Sequence, residues 1–337
     1  MDRQPGSGMV SRLSLWSGFT FVAVVPLMLL MLLAVIRQTG AEVIALSSEK
    51  EKILAFADHL FETGEYYRAI TEYSRFLFFF PDDPLIKLVR LKVAYAYQKG
   101  EQWEDAGKQF EILCRDYQGQ DIGREACFQS AETLRLGGHN RQAITRYRQF
   151  MEAYPEDDDR VSLAFFRTGC LHLELQEWQE AASAFSAVKS DSRLFTEAAY
   201  LGREARRLAA LPLKKPVLAG ILSAAIPGAG QIYARRYRDG ATALLVNGGF
   251  IWGAAEAFDQ NQHGLGSILL VMEFGWYAGN IYSAINSTAK LNQRTLEKNL
   301  APLLERCSFS LGIRESTLVH KQLTGVEKYR LSFDFRF

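Results

Sequence analysis

The chain has 337 residues, of which 39 are basic and 38 acidic, so its formal net charge is only +1. A charge this balanced gives no electrostatic case for a nucleic-acid partner or for an acidic substrate. Apolar residues make up 48% of the sequence and gather near both ends of the chain, on either side of a polar and amphipathic middle region.

Residues 1–41 have the composition of a targeting segment. Arg3 and Arg12 precede the apolar run Phe19–Ile36, and the small-residue site Thr39–Ala41 follows it. A charged start, an apolar middle and a small-residue exit are typical of a secretory signal peptide. The apolar run has 18 residues, which also suits an uncleaved membrane anchor. Both alternatives place the chain that follows outside the cytoplasm.

The region 50–211 contains four copies of one pattern, which begin at Gly64, Gly100, Gly138 and Gln176. Each copy has an alanine four residues before an aromatic residue, and successive alanines are 37, 37 and 38 residues apart. In a helix this spacing puts both residues on one face, which packs against an adjacent helix. A partner helix is predicted before each copy. The predicted packing residues are Ala69, Tyr73, Ala106, Phe110, Ala143, Tyr147, Ala181 and Phe185.

These copies resemble the tetratricopeptide repeat (TPR) family. The spacing is longer than the usual ~34 residues, and the closing proline of the first and third copies, Pro81 and Pro155, is missing from the other two. Long repeats of this kind are similar to those of bacterial cell-envelope proteins. The resemblance implies about four repeats and a cap helix at Leu194–Ala210, with a surface that binds other proteins or peptides.

The reactive side chains predict neither an enzyme nor a metal or cofactor site. No paired carboxylates or nucleophile–base sets stand out, and the five histidines are scattered. Cys114, Cys127, Cys170 and Cys307 form no CxxC pair. We interpret the cysteines as small buried hydrophobic residues, with a Cys114–Cys127 disulfide as the alternative in an oxidising compartment.

The region 216–286 is predicted to be a membrane domain of about three helices. Its apolar segments are rich in small residues and roughly match the ~20 residues that span a bilayer. These segments are Val217–Ala234, Ala241–Phe258 and Gly264–Ile285.

A turn motif interrupts the first segment, formed by Pro227, Gly228, Gly230, Gln231 and Tyr233. A phosphate-binding loop is disfavoured, because no strand precedes the motif and no Gly-Lys-Ser/Thr follows it. We interpret it as a break at Pro227, with glycines that let a neighbouring helix approach and a glutamine that bonds freed carbonyl groups. Tyr233 would lie at the membrane interface. The motif resembles the Pro-Gly-x-Gly-Gln-x-Tyr turn of the TM-two domain, although a third apolar segment departs from that pattern; the resemblance implies membrane placement and no activity.

Basic residues predict the orientation. The stretches Arg235–Arg238 and Lys290–Lys298 follow the first and third apolar segments. The positive-inside rule places both in the cytoplasm and the repeat array in the periplasm, at the bacterial inner membrane rather than the outer one. Four basic residues do not fit this orientation: Arg206, Arg207, Lys214 and Lys215.

Three polar residues inside the predicted spans are candidates for function: Glu256, Glu273 and Asn280. Polar groups are costly inside a membrane, so they indicate either an ion or proton path or hydrogen bonds between helices.

The tail, residues 287–337, is predicted to hold a short β-hairpin. Cys307–Ile313 and Tyr329–Phe337 alternate apolar and polar residues, as strands do.

The sequence therefore predicts an all-α repeat array, followed by a small helical membrane domain. Our hypothesis is a non-catalytic, membrane-anchored TPR protein of the bacterial envelope that mediates protein–protein interaction or assembly. Its partners would be proteins and the lipid bilayer, with no nucleic acid and no cofactor. The alternative is a channel or transporter component, with the array as a regulatory ectodomain.

Overall fold

The computed structural model describes residues 28, 31, 37 and 49–330, with side chains as far as residue 308. All regular structure in this part of the chain is helical, which confirms the predicted all-α repeat class. Apart from residues 28, 31 and 37, the predicted targeting segment lies outside the described residues. The helices are α1 (residues 49–62), α2 (Tyr66–Phe79), α3 (Ile86–Lys99), α4 (Trp103–Asp116), α5 (Asp121–Leu136), α6 (Asn140–Ala153), α7 (Asp158–Glu174), α8 (Trp178–Ser186), α9 (Phe195–Ala209), α10 (Pro216–Ala225), α11 (Ala229–Tyr233), α12 (Tyr237–Asp259) and α13 (His263–Arg330).

The chain divides into two compact units, Met1–Arg146 and Tyr147–Phe337, with the boundary inside α6. In the first unit, successive helices from α2 to α5 pack against one another, and α3 also contacts α5. In the second unit, α7, α8 and α9 pack together, and α10–α13 form a second helical layer.

The predicted packing residues lie in the interior of their units. The four alanines Ala69, Ala106, Ala143 and Ala181 are fully buried, and the four aromatic residues that follow them are at most 1% exposed. The partner helices contribute small residues at the crossings. A Cβ atom at Gly169 of α7, for example, would come within 2.8 Å of the Phe185 ring of α8. Small and large side chains therefore alternate across each hairpin, as the spacing predicts.

A left-handed residue ends the first helix of each repeat. The four positions are Gly64, Glu101, Gly138 and Gln176, with φ of 82°, 59°, 77° and 59°. Their separations are the same as those of the alanines, since 101 − 64, 138 − 101 and 176 − 138 give 37, 37 and 38. Such a residue commonly closes a helix, and glycine adopts it at the lowest cost. The residue equivalent to Gly64 in the second repeat is thus Glu101 and not Gly100.

No helix in the described ranges is both long and apolar enough to cross a membrane, so the prediction of three membrane-spanning helices is not supported. Helix α10 has ten residues, or about 15 Å at ~1.5 Å per residue, half the ~30 Å of a hydrocarbon core. Helix α12 carries Asn247 and Glu256 within its apolar sequence. The third predicted segment is only the beginning of the 68-residue helix α13.

The predicted strand Cys307–Ile313 is wrong, because α13 continues through it. The helical period prevails there: Leu300, Leu303 and Cys307, spaced three and four apart, are all buried. A short alternating run is compatible with either structure until a partner surface selects one. Of the second predicted strand, Tyr329 and Arg330 belong to α13 and residues 331–337 lie outside the described part.

Candidate interaction surfaces

In the first unit, the first helices of successive repeats are joined by polar side chains. Asp58 of α1 accepts hydrogen bonds from Lys92 Nζ of α3, at 2.6 and 2.8 Å, and from the hydroxyl of Tyr73, at 2.6 Å. Burial and the neighbouring Asp58 carboxylate both raise the pKa of Tyr73. The aromatic packing residue of the first repeat is therefore also a hydrogen-bond donor that fixes Asp58.

The same arrangement links α3 to α5. Gln98 Nε2 donates to Thr133 Oγ1 at 2.9 Å and to Gln129 Oε1 at 3.3 Å, and the Tyr95 hydroxyl donates to Glu125. Gln98, Glu125 and Thr133 are buried. These bonds satisfy polar groups that would otherwise be costly to bury, and they set the spacing of neighbouring repeats.

An exposed aromatic patch lies on α2, formed by Tyr67, Arg75, Phe78 and Phe79. Tyr67 and Phe78 are 74% and 79% exposed, and their separation of eleven residues puts them on one face of the helix. The rings of Phe78 and Phe79 meet edge to face at 5.3 Å, and the Arg75 guanidinium lies 6.0 Å from the Phe79 ring. Exposed aromatic residues and arginine are enriched at protein interfaces.

In the second unit, the turn motif reverses the chain. Helix α10 ends before Pro227, and Gly228 adopts φ = 88° and opens α11. A Cβ atom at Gly228 would overlap the carbonyl of Gly240, and one at Gly230 would overlap the carbonyl of Ala219. Both glycines are therefore required by close backbone contacts.

Gln231 joins three helices of this unit. Its side-chain oxygen accepts from Ser223 Oγ of α10 at 2.9 Å, and its Nε2 donates to the Asn280 carbonyl oxygen of α13 at 3.0 Å. Ser223 Oγ also accepts from the Gly230 backbone N–H at 3.1 Å. The structure thus brings Gln231 and Asn280 together, and Gln231 bonds a backbone carbonyl of a neighbouring helix.

The two candidate carboxylates have different surroundings. Glu256 is exposed and accepts from Gln260 at 2.7 Å. Glu273 is buried, and neither of its carboxylate oxygens has a hydrogen-bond partner among the described residues. Burial raises the pKa of Glu273. Among the described residues, Glu273 thus makes none of the hydrogen bonds between helices that were one of its predicted alternatives.

Basic residues from three parts of the chain gather at one end of the α10–α13 layer. Lys214 Nζ donates to the Tyr233 carbonyl at 2.6 Å and lies 4.3 Å from the Tyr233 ring centre, and Asn292 of α13 donates to the Lys214 carbonyl at 2.6 Å. Arg236 donates to Ser287 Oγ of α13 at 2.9 Å. We call this set the basic collar: Lys214, Lys215, Arg235, Arg236, Arg238, Lys290 and Arg294.

The collar explains why Lys214 and Lys215 did not fit the predicted orientation. The first apolar segment does not run from one side to the other. It enters as α10, reverses at Gly228 and returns as α11, so that Tyr233 lies beside Lys214 and Lys215.

Two disulfides are present among the described residues, Cys114–Cys127 in the first unit and Cys170–Cys307 in the second. The favoured interpretation of the cysteines as unpaired hydrophobic residues is thus wrong. The second bond joins α7 to α13, which also forms an ion pair between Arg306 and Glu197 of α9 at 2.6 Å. The tail and the repeat helices α7 and α9 are therefore in direct contact within the second unit.

Comparison with known proteins supports the repeat class. A family model for the tetratricopeptide repeat matches residues 125–157, which comprise most of α5, all of α6 and the turn after it. One similar solved structure is a tetratricopeptide repeat protein from Parabacteroides merdae, with 13% identity and a TM-score of 0.39 over 76% of this chain and 98% of that chain. No curated protein matches the sequence. Residues 125–157 therefore match one tetratricopeptide repeat, within a longer series of helical hairpins.

Sequence reasoning missed the Cys170–Cys307 bond and the basic collar. A signal for this disulfide was available, because the sequence has four cysteines. Pairing Cys114 with Cys127 leaves Cys170 and Cys307 as the remaining pair. No local signal identifies the collar, because its members come from three separate stretches of the chain.

Proposed function

We propose that this chain is a non-catalytic interaction protein of the bacterial envelope. Its repeat array would bind a segment of a partner protein, and the α10–α13 layer would hold it at a lipid bilayer. TPR repeats generally mediate protein–protein interaction, and the match at residues 125–157 carries the proposal. The two disulfides support an oxidising compartment such as the periplasm, because cytosolic thiols are kept reduced.

The aromatic patch of α2 is our candidate contact with the partner. Helix α13 already covers parts of α7 and α9 in the second unit, so these repeat helices have an occupant from the same chain. In the first unit, Phe78 and Phe79 expose large aromatic surfaces that no segment among the described residues covers. Aromatic residues of this kind commonly anchor protein interfaces.

Site-specific photocrosslinking in cells tests the proposal. A photoreactive phenylalanine analogue at position 78 is expected to trap a discrete partner. The same analogue at Ile112, which is also exposed but lies on α4, is the matched control and should trap less. A second variant, F78S/F79S, should lose the partner in co-purification while retaining its helical content. Equal products from both positions, or retained binding by F78S/F79S, would contradict this assignment.

The Glu273 carboxylate, which has no hydrogen-bond partner in the part of the chain that the structure describes, supports a second candidate, a channel or transporter component. Its test is ion or proton flux in vesicles containing the full chain. Conduction through Glu273 requires that Glu273→Gln lose flux, whereas the interaction protein keeps its partner in this variant.

A further inference from the structure

We infer that the α10–α13 layer docks on anionic phospholipid from one side. In this arrangement the basic collar contacts lipid phosphates, and the exposed apolar side chains of α10, α12 and the first part of α13 contact acyl chains. The inference rests on the proposed lipid contact. It adds the class of lipid, the residues that recognise it and the face of the molecule that meets the bilayer.

The apolar surface of this layer is unusually exposed. Seven large aliphatic, phenylalanine or tryptophan side chains from three helices are each at least 60% exposed: Val217, Ile221, Leu245, Trp252, Ile268, Val271 and Phe274. The repeat helices α7–α9 of the same unit, in contrast, expose only Phe195 among their large apolar residues. Extended apolar surface of this kind marks a protein or membrane contact.

The charge distribution distinguishes lipid from other occupants. The sequence contains no lysine or arginine between Arg238 and Lys290, so the α12–α13 hairpin carries no strong base until it returns to the collar. Its far turn contains Asp259 and His263. Within the collar, Asp239 pairs with Arg236, which leaves the other basic residues in excess. Positive charge is thus confined to one edge of an apolar layer.

A bilayer of anionic phospholipid has the complementary arrangement, with negatively charged phosphate groups at its surface and hydrocarbon beneath them. Basic residues beside such a surface are attracted to the anionic headgroups, and apolar side chains add to the binding when they enter the acyl region. Tyr237 and Tyr282, 66% and 70% exposed, lie near the collar, where amphipathic aromatic rings collect at a membrane interface. If a second copy of the chain covered the apolar surface instead, the two basic collars would either lie against each other or face no acidic group.

Four collar residues can be changed without removing a contact of the fold. Lys214 and Arg236 are kept, because their side chains bond Tyr233 and Ser287. The collar variant is R235Q/R238Q/K290Q/R294Q. The matched control removes four exposed charges elsewhere: K99Q/R193Q/R203Q/R206Q.

The experiment is flotation of the full chain, diluted from detergent, with vesicles of phosphatidylcholine alone or mixed with phosphatidylglycerol. The wild type and the control variant should partition onto the mixed vesicles at least about tenfold more strongly than onto neutral ones, with this preference weakened by salt. The collar variant should bind both vesicles about equally.

Each alternative outcome has a distinct meaning. Binding to both vesicles with no preference for phosphatidylglycerol in the wild type, or an equal loss in both variants, overturns the collar assignment and leaves lipid contact standing. Binding to neither vesicle overturns the lipid contact itself. A vesicle-free dimer by light scattering in that case would identify a second copy as the occupant of the apolar surface.

Discussion

Cys170 and Cys307 are joined by a disulfide between residues 137 positions apart in sequence, so the long helix α13 is covalently fixed to the repeat helix α7. The same helix also carries Lys290 and Arg294 of the collar and contacts α10, α11 and α12. It therefore couples the apolar layer mechanically to the last repeat.

The double variant C170S/C307S is expected to lower the free energy of unfolding by about 2–5 kcal/mol, because the reduced chain regains the entropy of a very long loop. The matched control is C114S/C127S, whose bond closes a separation of 13 residues and is expected to contribute about 3 kcal/mol or less. Urea unfolding of oxidised proteins measures both. A smaller effect for the long loop than for the short one would show that α13 is not held by this bond.

Gly228→Ala should destabilise the second unit by about 2–5 kcal/mol. The left-handed conformation of Gly228 disfavours a Cβ atom, and that atom would overlap the Gly240 carbonyl. The control is Gly248→Ala in α12, where an added Cβ would have no heavy atom within 4 Å; this change should stabilise the helix by about 0.5–1 kcal/mol. Thermal unfolding compares the two. If both variants change the stability of the protein equally, the fold does not require the left-handed chain reversal at Gly228.

Glu101→Gly should stabilise the first unit by about 0.5–1 kcal/mol. Glu101 adopts φ = 59° at a position occupied by Gly64 in the first repeat, and relief of this backbone strain exceeds the entropy that glycine adds to the unfolded chain. Glu101→Ala removes the same side chain but keeps the strain, so it should give no such gain. Chemical denaturation of the wild type and the two variants measures their free energies of unfolding. An equal gain in stability from Glu101→Ala would mean that loss of the glutamate charge, and not relief of backbone strain, causes the effect.

Glu273→Gln should flatten the dependence of stability on pH. Because burial raises the pKa of Glu273 in the folded state, the folded protein holds this proton more strongly than the unfolded chain does. The wild type is therefore expected to lose stability relative to Glu273→Gln as pH rises from the ordinary glutamate pKa of about 4.3 toward the raised value.

Urea unfolding across that pH range measures the effect of Glu273→Gln. Glu256→Gln, at an exposed carboxylate of the neighbouring helix, should follow the wild type. Parallel curves for the wild type and Glu273→Gln would mean that Glu273 reaches a partner or solvent and stays ionised.

The repeat array was predictable because its signals are local. Ala69 and Tyr73, and their equivalents every 37 or 38 residues, share a helix face whichever way the helices are arranged. The buried positions of these residues follow from that face alone. The sequence predicts that the second copy of the pattern begins at Gly100, whereas the left-handed residue equivalent to Gly64 is Glu101.

The helical layer was harder to predict because composition reports the apolar character of a segment but not its direction. The segment Val217–Ala234 has the length of a membrane span, yet the positive φ of Gly228 turns it back beside Lys214. The alternation at Cys307–Ile313 likewise suggested a strand until the contacts of Leu300, Leu303 and Cys307 favoured the helix.

By itself, the sequence determined the repeat period, the packing face of each repeat helix and the composition of the apolar layer, since these depend on residues within a few turns of one another. Only the tertiary structure decided that Cys170 pairs with Cys307, that Gln231 meets Asn280 and that seven basic residues form one collar. Such pairs are tens of residues or more apart, and many chain paths are compatible with the same local pattern. The backbone reversal at Gly228 and the packing of α13 on α7 and α9 select one of these paths.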